Sequence, residues 1–521
     1  SEIRQGVKID ISNARGGSGH NINPFVMLAK SGADEMSGEV YSMTLVYSGN
    51  HSTMLECDQF GNIRLMQGIN PFGFEWKLKE GESFQTPQSV MCYSDKGIGG
   101  ISRELHDVIR QNLCRSKWVN KERPILINNW EGTYFDFDEK KIFDIAKEAS
   151  KHGIEMLVLD DGWFGKRDDD NSGLGDWYVN EKKLGETLGG LVKRVNDLGV
   201  KFGIWIEPEM ISEDSDLYRE HPDWALMIPG RNPVRSRNQL VLDFSRKEVV
   251  DGIFGQISAV LDNANIEYVK WDMNRSLMDV FSVMTKDQGR VMYDYVLGLY
   301  DFLDRMVNRY PDLLIEGCSG GGGRFDAGML YYTPQIWCSD NSDAIDRLRI
   351  QYGTSFGYPV SAMGAHVSAV PNHQTGRITP LHTRGVVAMS GTFGYELDLL
   401  KLTEEEKDEV RSQIGEFRKY APLIQNGRYY RLTDPFKSEV CAWEIVGNSQ
   451  EEVLLNVVME EIHGNMTVNY VNLQGLKCSA IYRDTETGKT YNGAALMEAG
   501  IPMPVEMGEF KAYQMHLVGE E

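Results

Sequence analysis

The sequence predicts an α/β fold: a (β/α)8 TIM barrel flanked by an N-terminal β-sandwich portion and a C-terminal antiparallel β-sandwich domain. Three observations predict it. The middle of the chain repeats a short apolar run, usually followed by a segment with apolar residues at helical spacing. Both flanks instead alternate polar and apolar residues between turn residues. A chain of 521 residues is also too long for one small core.

In order along the chain, residues 1–100 read as strands and turns. EVYSMTLVYSG, TMLECDQFGNIRLM and FGFEWKLKEGESFQT alternate between glycines. ISRELHDVIRQNL has helical spacing and opens a connector over 101–120. From 121 to 425 the rhythm changes, and eight candidate strands follow: RPILINNW, GIEMLVLDDGWF, KFGIWIEPEM, NQLVLDFS, IEYVKWDMN, DLLIEGCSG, PQIWCSDNS and PVSAMGAHVS. EKKIFDIAKEASKHG, LGGLVKRVNDLG and VVDGIFGQISAVLDNAN between them are candidate helices ending at Gly or Asn. Eight β–α units favour a closed parallel barrel over an open doubly wound sheet. The charged helix LTEEEKDEVRSQIGEFRKYAPLIQ follows the barrel. In 426–521, YYRLTDP, VCAWEIV, EEVLLNVVM, MTVNYVNL and CSAIYRDTETGKTYNG return to strand-and-turn texture.

A net charge of -22 repels phosphate backbones and anionic lipid, so neither nucleic acid nor a membrane is expected as a partner. Seven scattered cysteines without a CxxC pair form neither a disulfide framework nor a zinc site. They suggest a reducing compartment. No apolar run nears the roughly 20 residues of a membrane span. SEIRQGVKID has no basic region before an apolar stretch, and a cytoplasmic location is expected.

The chemistry lies in what ends each candidate strand, because a barrel of this type carries its active site there. In order these residues are Trp130 and Glu131; Asp160 and Asp161; Trp205, Glu207 and Glu209; Asp243; Lys270 and Asp272; Glu316 and Cys318; and Asp340. A lone acid at a strand end is usually a helix cap or an ion-pair partner. Repeated acids with tryptophans suit sugar chemistry instead, since carboxyls protonate a leaving oxygen or attack an anomeric carbon while indoles stack on sugar faces. Spacing alone leaves open which two acids react.

Other signals are weaker. Gly320 to Gly323 lacks the GK[ST] or GxGxxG context of a nucleotide site and reads as a turn where backbone approaches a ligand. Asp168, Asp170 and Gly173 imitate an EF-hand start, but Val179 stands where Glu is needed. His366 and His373 are candidate metal ligands, although no metal and no cofactor is expected. No nucleophile elbow is visible.

At these strand ends the chain resembles the bacterial-type α-galactosidases of glycoside hydrolase family 36. LDDGWFGKRDDD, WIEPEM, YVKWDMNR, CSGGGGRFD, SDNSDAIDRLRIQYGTS and MGAHVSAVPNHQTGR carry the resemblance, which extends over nearly the whole chain. It implies that Asp272 is the nucleophile and Asp340 the general acid/base, in a pocket with Trp130, Asp160, Asp161, Trp205, Arg237, Lys270, Cys318 and Gly321. Asp160 and Asp161 match the pair that hydrogen-bonds galactose hydroxyls, and Cys318 and Gly321 match positions beside the 2-hydroxyl. Lys270 precedes Asp272 by two residues, which puts both on one strand face and favours an ionised nucleophile. Net retention is expected, with the carboxyls about 5–5.5 Å apart.

The resemblance also implies α-galactoside oligosaccharides such as raffinose or melibiose as substrates, and a homotetramer. Asn341 stands where many relatives carry a second acid, and the resemblance implies that the chain starts part-way into the family's first domain. Three alternatives accompany this reading: an α-N-acetylgalactosaminidase or galactosyl transferase on the same site, a noncatalytic galactose-binding fragment, and a metal-dependent hydrolase.

Overall fold

The computed structural model describes residues 2–520 except 186 and 466. The N-terminal strands are β1 (Lys8–Asn13), β2 (Phe25–Ala29), β3 (Val40–Val46), β4 (His51–Cys57), β5 (Ile63–Ile69) and β6 (Gln88–Ser94). They form two three-stranded antiparallel sheets, in the orders β1-β4-β5 and β2-β3-β6. TMLECDQFGNIRLM is the β4–β5 hairpin. Asp58 closes its turn, accepting from the backbone of Phe60 at 2.9 Å and Asn62 at 2.8 Å.

FGFEWKLKEGESFQT is not a strand, contrary to its alternation. Its aromatics pack on a barrel helix instead. Trp76 and Phe84 lie 5.5 Å and 5.1 Å from the Tyr293 ring, on the helix Val291–Arg309. Alternation here serves that packing and makes no ladder.

The middle of the chain is a closed parallel barrel of eight strands. Three come first: β7 (Leu126–Asn128), β8 (Met156–Leu159) and β9 (Lys201–Ile206). The chain then leaves the barrel for an antiparallel pair, β10 (Met210–Ile211) with β11 (Leu240–Val241). It returns for β12 (Tyr268–Trp271), β13 (Leu314–Gly317), β14 (Gln335–Trp337), β15 (Met363–Ser368) and β16 (Thr392–Glu396). Two assignments therefore change: NQLVLDFS is β11, outside the barrel, and the eighth barrel strand is TFGYE. A short apolar run does not reveal its partner. In β16, Gly391 just before it and Gly394 within it weaken the pattern that marks a strand.

Strand ends are placed by helices whose sequences set their limits. For Glu139–His152, Asp138 caps the N-terminus by accepting from Lys141 N at 2.8 Å, worth about 1 kcal/mol. Gly153 ends it at φ 84°, where other residues are disfavoured. Ile142, Ile145, Ala146 and Ala149 form its buried stripe. The helix Glu404–Asn426 starts with a Thr403–Glu406 capping box and buries Val410, Ile414, Phe417 and Ala421 against the barrel.

Beyond it lie β17 (Arg428–Arg431), β18 (Val440–Val446), β19 (Glu452–Met459), β20 (Tyr470–Val471), β21 (Ile481–Asp484), β22 (Thr490–Asn492), β23 (Ile501–Pro502) and β24 (Lys511–Glu520). Six make one antiparallel sheet in the order β17-β18-β19-β24-β21-β22, and β20 pairs with β23. Of MTVNYVNL only Tyr470 and Val471 are strand, and Met466 lies outside the described residues.

Candidate active site

The strands of the barrel end around a cavity of about 220 Å³. Asp160, Asp161, Trp205, Arg237, Lys270, Asp272, Asp340 and Trp130 all line it. Cys318 and Gly321 are not among its lining residues. Gly321 instead lies against the Asp340 backbone, and buried Cys318 lies within the field of Asp272 and Asp340.

Asp272 follows β12 directly and accepts four hydrogen bonds. Oδ1 takes the backbone N–H groups of Met273 at 2.8 Å and Gly320 at 2.9 Å. Oδ2 takes Trp205 Nε1 at 3.1 Å and Asn274 Nδ2 at 2.7 Å. Burial pushes this carboxyl up, but the Lys270 charge and these donors outweigh it and hold Asp272 below the ordinary 3.8. It is built to stay ionised.

Asp340 lies in the turn after β14. Its Oδ1 accepts from Trp337 Nε1 at 3.2 Å, and its backbone carbonyl accepts from Gln374 Nε2 at 2.9 Å. Desolvation, then the Asp272 charge, push it up to about 6, against the pull of Lys270. Two neighbouring carboxyls are thus driven apart in proton affinity. Gly321 allows this packing. A Cβ there would stand 2.1 Å from the Asp340 nitrogen, and φ is 75°.

Lys270 Nζ bonds Asp160 Oδ2 at 2.9 Å, so the ammonium reaches Asp272 through space only. Asp160 Oδ2 also accepts from Asn128 Nδ2 at 2.6 Å. Arg167 grips Asp161 with Nε at 2.9 Å and Nη2 at 2.8 Å, the bidentate geometry that suits a carboxylate. Trp205 is fixed by Phe164, whose ring is stacked at 6.1 Å. Arg237 donates to Asn274 Oδ1 at 3.3 Å and holds φ 54°. The thiol of buried Cys318 is pushed up by burial, then by Asp272 and Asp340.

Several strand-end acids serve the frame. Glu209 is wholly buried and takes Arg324 at 2.7 Å and 3.0 Å, Trp271 Nε1 at 2.9 Å and Tyr295 OH at 2.7 Å. Glu207 accepts from Gln239 at 2.7 Å and from the Asn274 backbone. Glu316 is bonded by Gln335 at 2.7 Å, and Asp243 lies beside β11 with Ser245. None of these four lines the cavity.

Glu396, Trp337, Asn274 and Gln374 also line the cavity and were not read from the sequence. Glu396 ends β16, so missing that strand hid it. Trp337 ends β14 and was visible in PQIWCSDNS as the last apolar residue before the acid. His366 pairs with Glu396 at 3.1 Å and His373 with Glu131 at 3.5 Å. Among the described residues neither histidine belongs to a cluster of three possible metal ligands.

Comparison with known proteins gives concordant matches. Residues 83–427 match the Melibiase family model, 1–79 the glycosyl hydrolase family 36 N-terminal domain and 440–517 its C-terminal domain. A bifunctional alpha-galactosidase/sucrose kinase, AgaSK, of Mediterraneibacter gnavus is 58% identical over 97% of this chain; the match spans only 54% of that longer protein. Alpha-galactosidase AgaA of Geobacillus stearothermophilus is 52% identical over 95% of this chain and 68% of its own length. The solved galactosidase domain of AgaSK superimposes with a TM-score of 0.97 at 57% identity, covering 100% of this chain and 71% of that one. A variant of AgaA solved with raffinose gives 0.97 at 50% identity, covering 98% and 72%.

Proposed function

This chain belongs to glycosyl hydrolase family 36, and on that premise we propose that it is a retaining α-galactosidase acting on raffinose-type oligosaccharides or melibiose. The observation that carries the reading is the pairing of Asp272 and Asp340 in one cavity with opposed proton affinities. The first carboxylate forms a bond to the anomeric carbon. As the glycosidic C–O bond breaks, its electron pair goes to the leaving oxygen, which takes the Asp340 proton. Asp340 then removes a proton from water as the water oxygen displaces Asp272, and galactose leaves with its configuration retained.

Asp160 and Asp161, each locked to a cation, supply fixed acceptors for sugar hydroxyls, while Trp130 and Trp205 offer apolar faces. Gly321 acts through its backbone, packed against Asp340, while buried Cys318 lies within the field of both acids. The relatives' oligosaccharides are the support for the substrate class.

The same reading divides the chain at about residues 100, 120 and 425, between the N-terminal sheets, connector, barrel and C-terminal sheet. It makes the protein a cytoplasmic homotetramer. All seven cysteines are unpaired, and no described helix is long and apolar enough to cross a membrane. Turnover of aryl α-galactoside against its β-anomer tests the activity. The α-anomer alone should be hydrolysed, and Asp272→Ala should abolish that hydrolysis; a variant with near-native turnover would refute the assignment.

A further inference from the structure

We propose that Trp337 is a positioning residue for proton transfer: its indole N–H occupies one oxygen of Asp340 and leaves the reacting proton on the other. The inference rests on the galactosidase reading above and adds to it the choice of the oxygen that works.

Trp337 ends β14, three residues before Asp340, and its Nε1 lies 3.2 Å from Asp340 Oδ1. An indole N–H donates and never accepts. Oδ1 is therefore held as an acceptor in both protonation states. Oδ1 also faces the Gly321 backbone, where an added Cβ would lie 2.9 Å from it. Among the described residues, Asp340 Oδ2 accepts no side-chain or backbone hydrogen bond, and the residue is open to the cavity. The proton of the neutral acid belongs on Oδ2, the oxygen free to meet a glycosidic oxygen.

The donor is rigid. Trp337 is only 3% exposed. Its ring lies 4.4 Å from the Arg347 guanidinium, 4.6 Å from the His366 ring and 5.8 Å from Lys270 Nζ. Arg347 is tied to the carbonyls of Asn341 at 2.7 Å, Ser339 at 2.8 Å and Gly364 at 3.1 Å. His366 is tied to Glu396 at 3.1 Å. Glu396 thus reaches Asp340 through His366 and Trp337. Two cations beside the ring also withdraw electron density and strengthen the N–H as a donor.

In the first half-reaction Oδ2–H gives its proton to the leaving oxygen. In the second, Oδ2 takes a proton from the attacking water. The N–H on Oδ1 stabilises the carboxylate between the two steps.

The test replaces Trp337 with β-(3-benzothienyl)alanine, which keeps the ring shape and substitutes sulfur for N–H, with Trp337→Phe in parallel. Values of kcat/KM are compared for melibiose, whose leaving group needs a proton, and 2,4-dinitrophenyl α-galactoside, whose leaving group does not. The benzothienyl protein should lose about 10–100-fold on melibiose and under about 3-fold on the dinitrophenyl substrate. Its basic pH limb should move up, because the carboxylate has lost a donor. Inhibition by galactose should not change. Equal losses on both substrates, no loss, or an unmoved limb would overturn the inference. If the isosteric protein retains wild-type melting, its result decides the matter even where Trp337→Phe misfolds; if it does not, the indole's role is structural and the inference falls. A wild-type protein that hydrolyses neither galactoside refutes the parent reading, a result distinct from all of these.

Discussion

Lys270 and Asp160 form a sheltered ion pair, Nζ to Oδ2 at 2.9 Å, with side chains 8% and 4% exposed. The pair holds a cation within the field of Asp272 without bonding to it. Breaking a buried pair by removing one partner costs about 3–5 kcal/mol, since the remaining charge is left uncompensated. Lys270→Met should therefore lower the urea midpoint, abolish most turnover and move the acidic limb of any residual activity upward. A variant as stable as wild type with an unmoved acidic limb would show that the ammonium does neither job.

The pH profile should be a bell. Activity rises as Asp272 ionises, below its ordinary 3.8, and falls as Asp340 loses its proton near about 6. The two limbs belong to the interacting pair rather than to either residue alone. The optimum of kcat/KM should lie between the two limbs, on the acid side of the Asp340 limb. A profile still climbing above pH 7 would contradict the acid assigned to Asp340.

Gly321→Ala tests the packing behind that acid. The new methyl would meet the Asp340 nitrogen at 2.1 Å, and φ of 75° adds backbone strain. A displacement near 1 Å at a reacting group costs about 100-fold in rate. The expected result is a fall of that order in kcat on melibiose. Unchanged kcat would mean that Asp340 does not depend on this contact.

Much of this architecture was legible in the residues. The barrel followed from repeated β–α units, and the acids at the ends of GIEMLVLDDG and IEYVKWDMN fall in the cavity because adjacent parallel strands present their ends together. Glu396 escaped because glycines dilute its strand, and β11 misled because a short apolar run looks alike inside and outside a barrel. Arg167, clamping Asp161 from six positions away, has no periodic signal: its role comes from a loop folding back. Glu207 and Glu316 were legible as strand-end acids but not as structural ones, since only coordinates show which way a side chain turns.

Glu207 gives a stability test. Burial, then the Asp272 charge, push it up to about 8 from the ordinary 4.5, so between these values the folded chain holds a proton that the unfolded chain lacks. Stability from this group is present at low pH and is lost as pH rises through that window. Glu207→Gln stays neutral throughout, and its Tm should fall less steeply than wild type between about pH 5 and pH 8. Parallel slopes would place the proton elsewhere.

The most direct measurement is to trap the intermediate with a 5-fluoro-galactosyl fluoride, digest the protein and locate the added mass. A fluorogalactosyl adduct should form on Asp272, turn over slowly and be absent from Asp272→Ala. An adduct on a different carboxylate, or rapid turnover with inversion at the anomeric carbon, would contradict the mechanism.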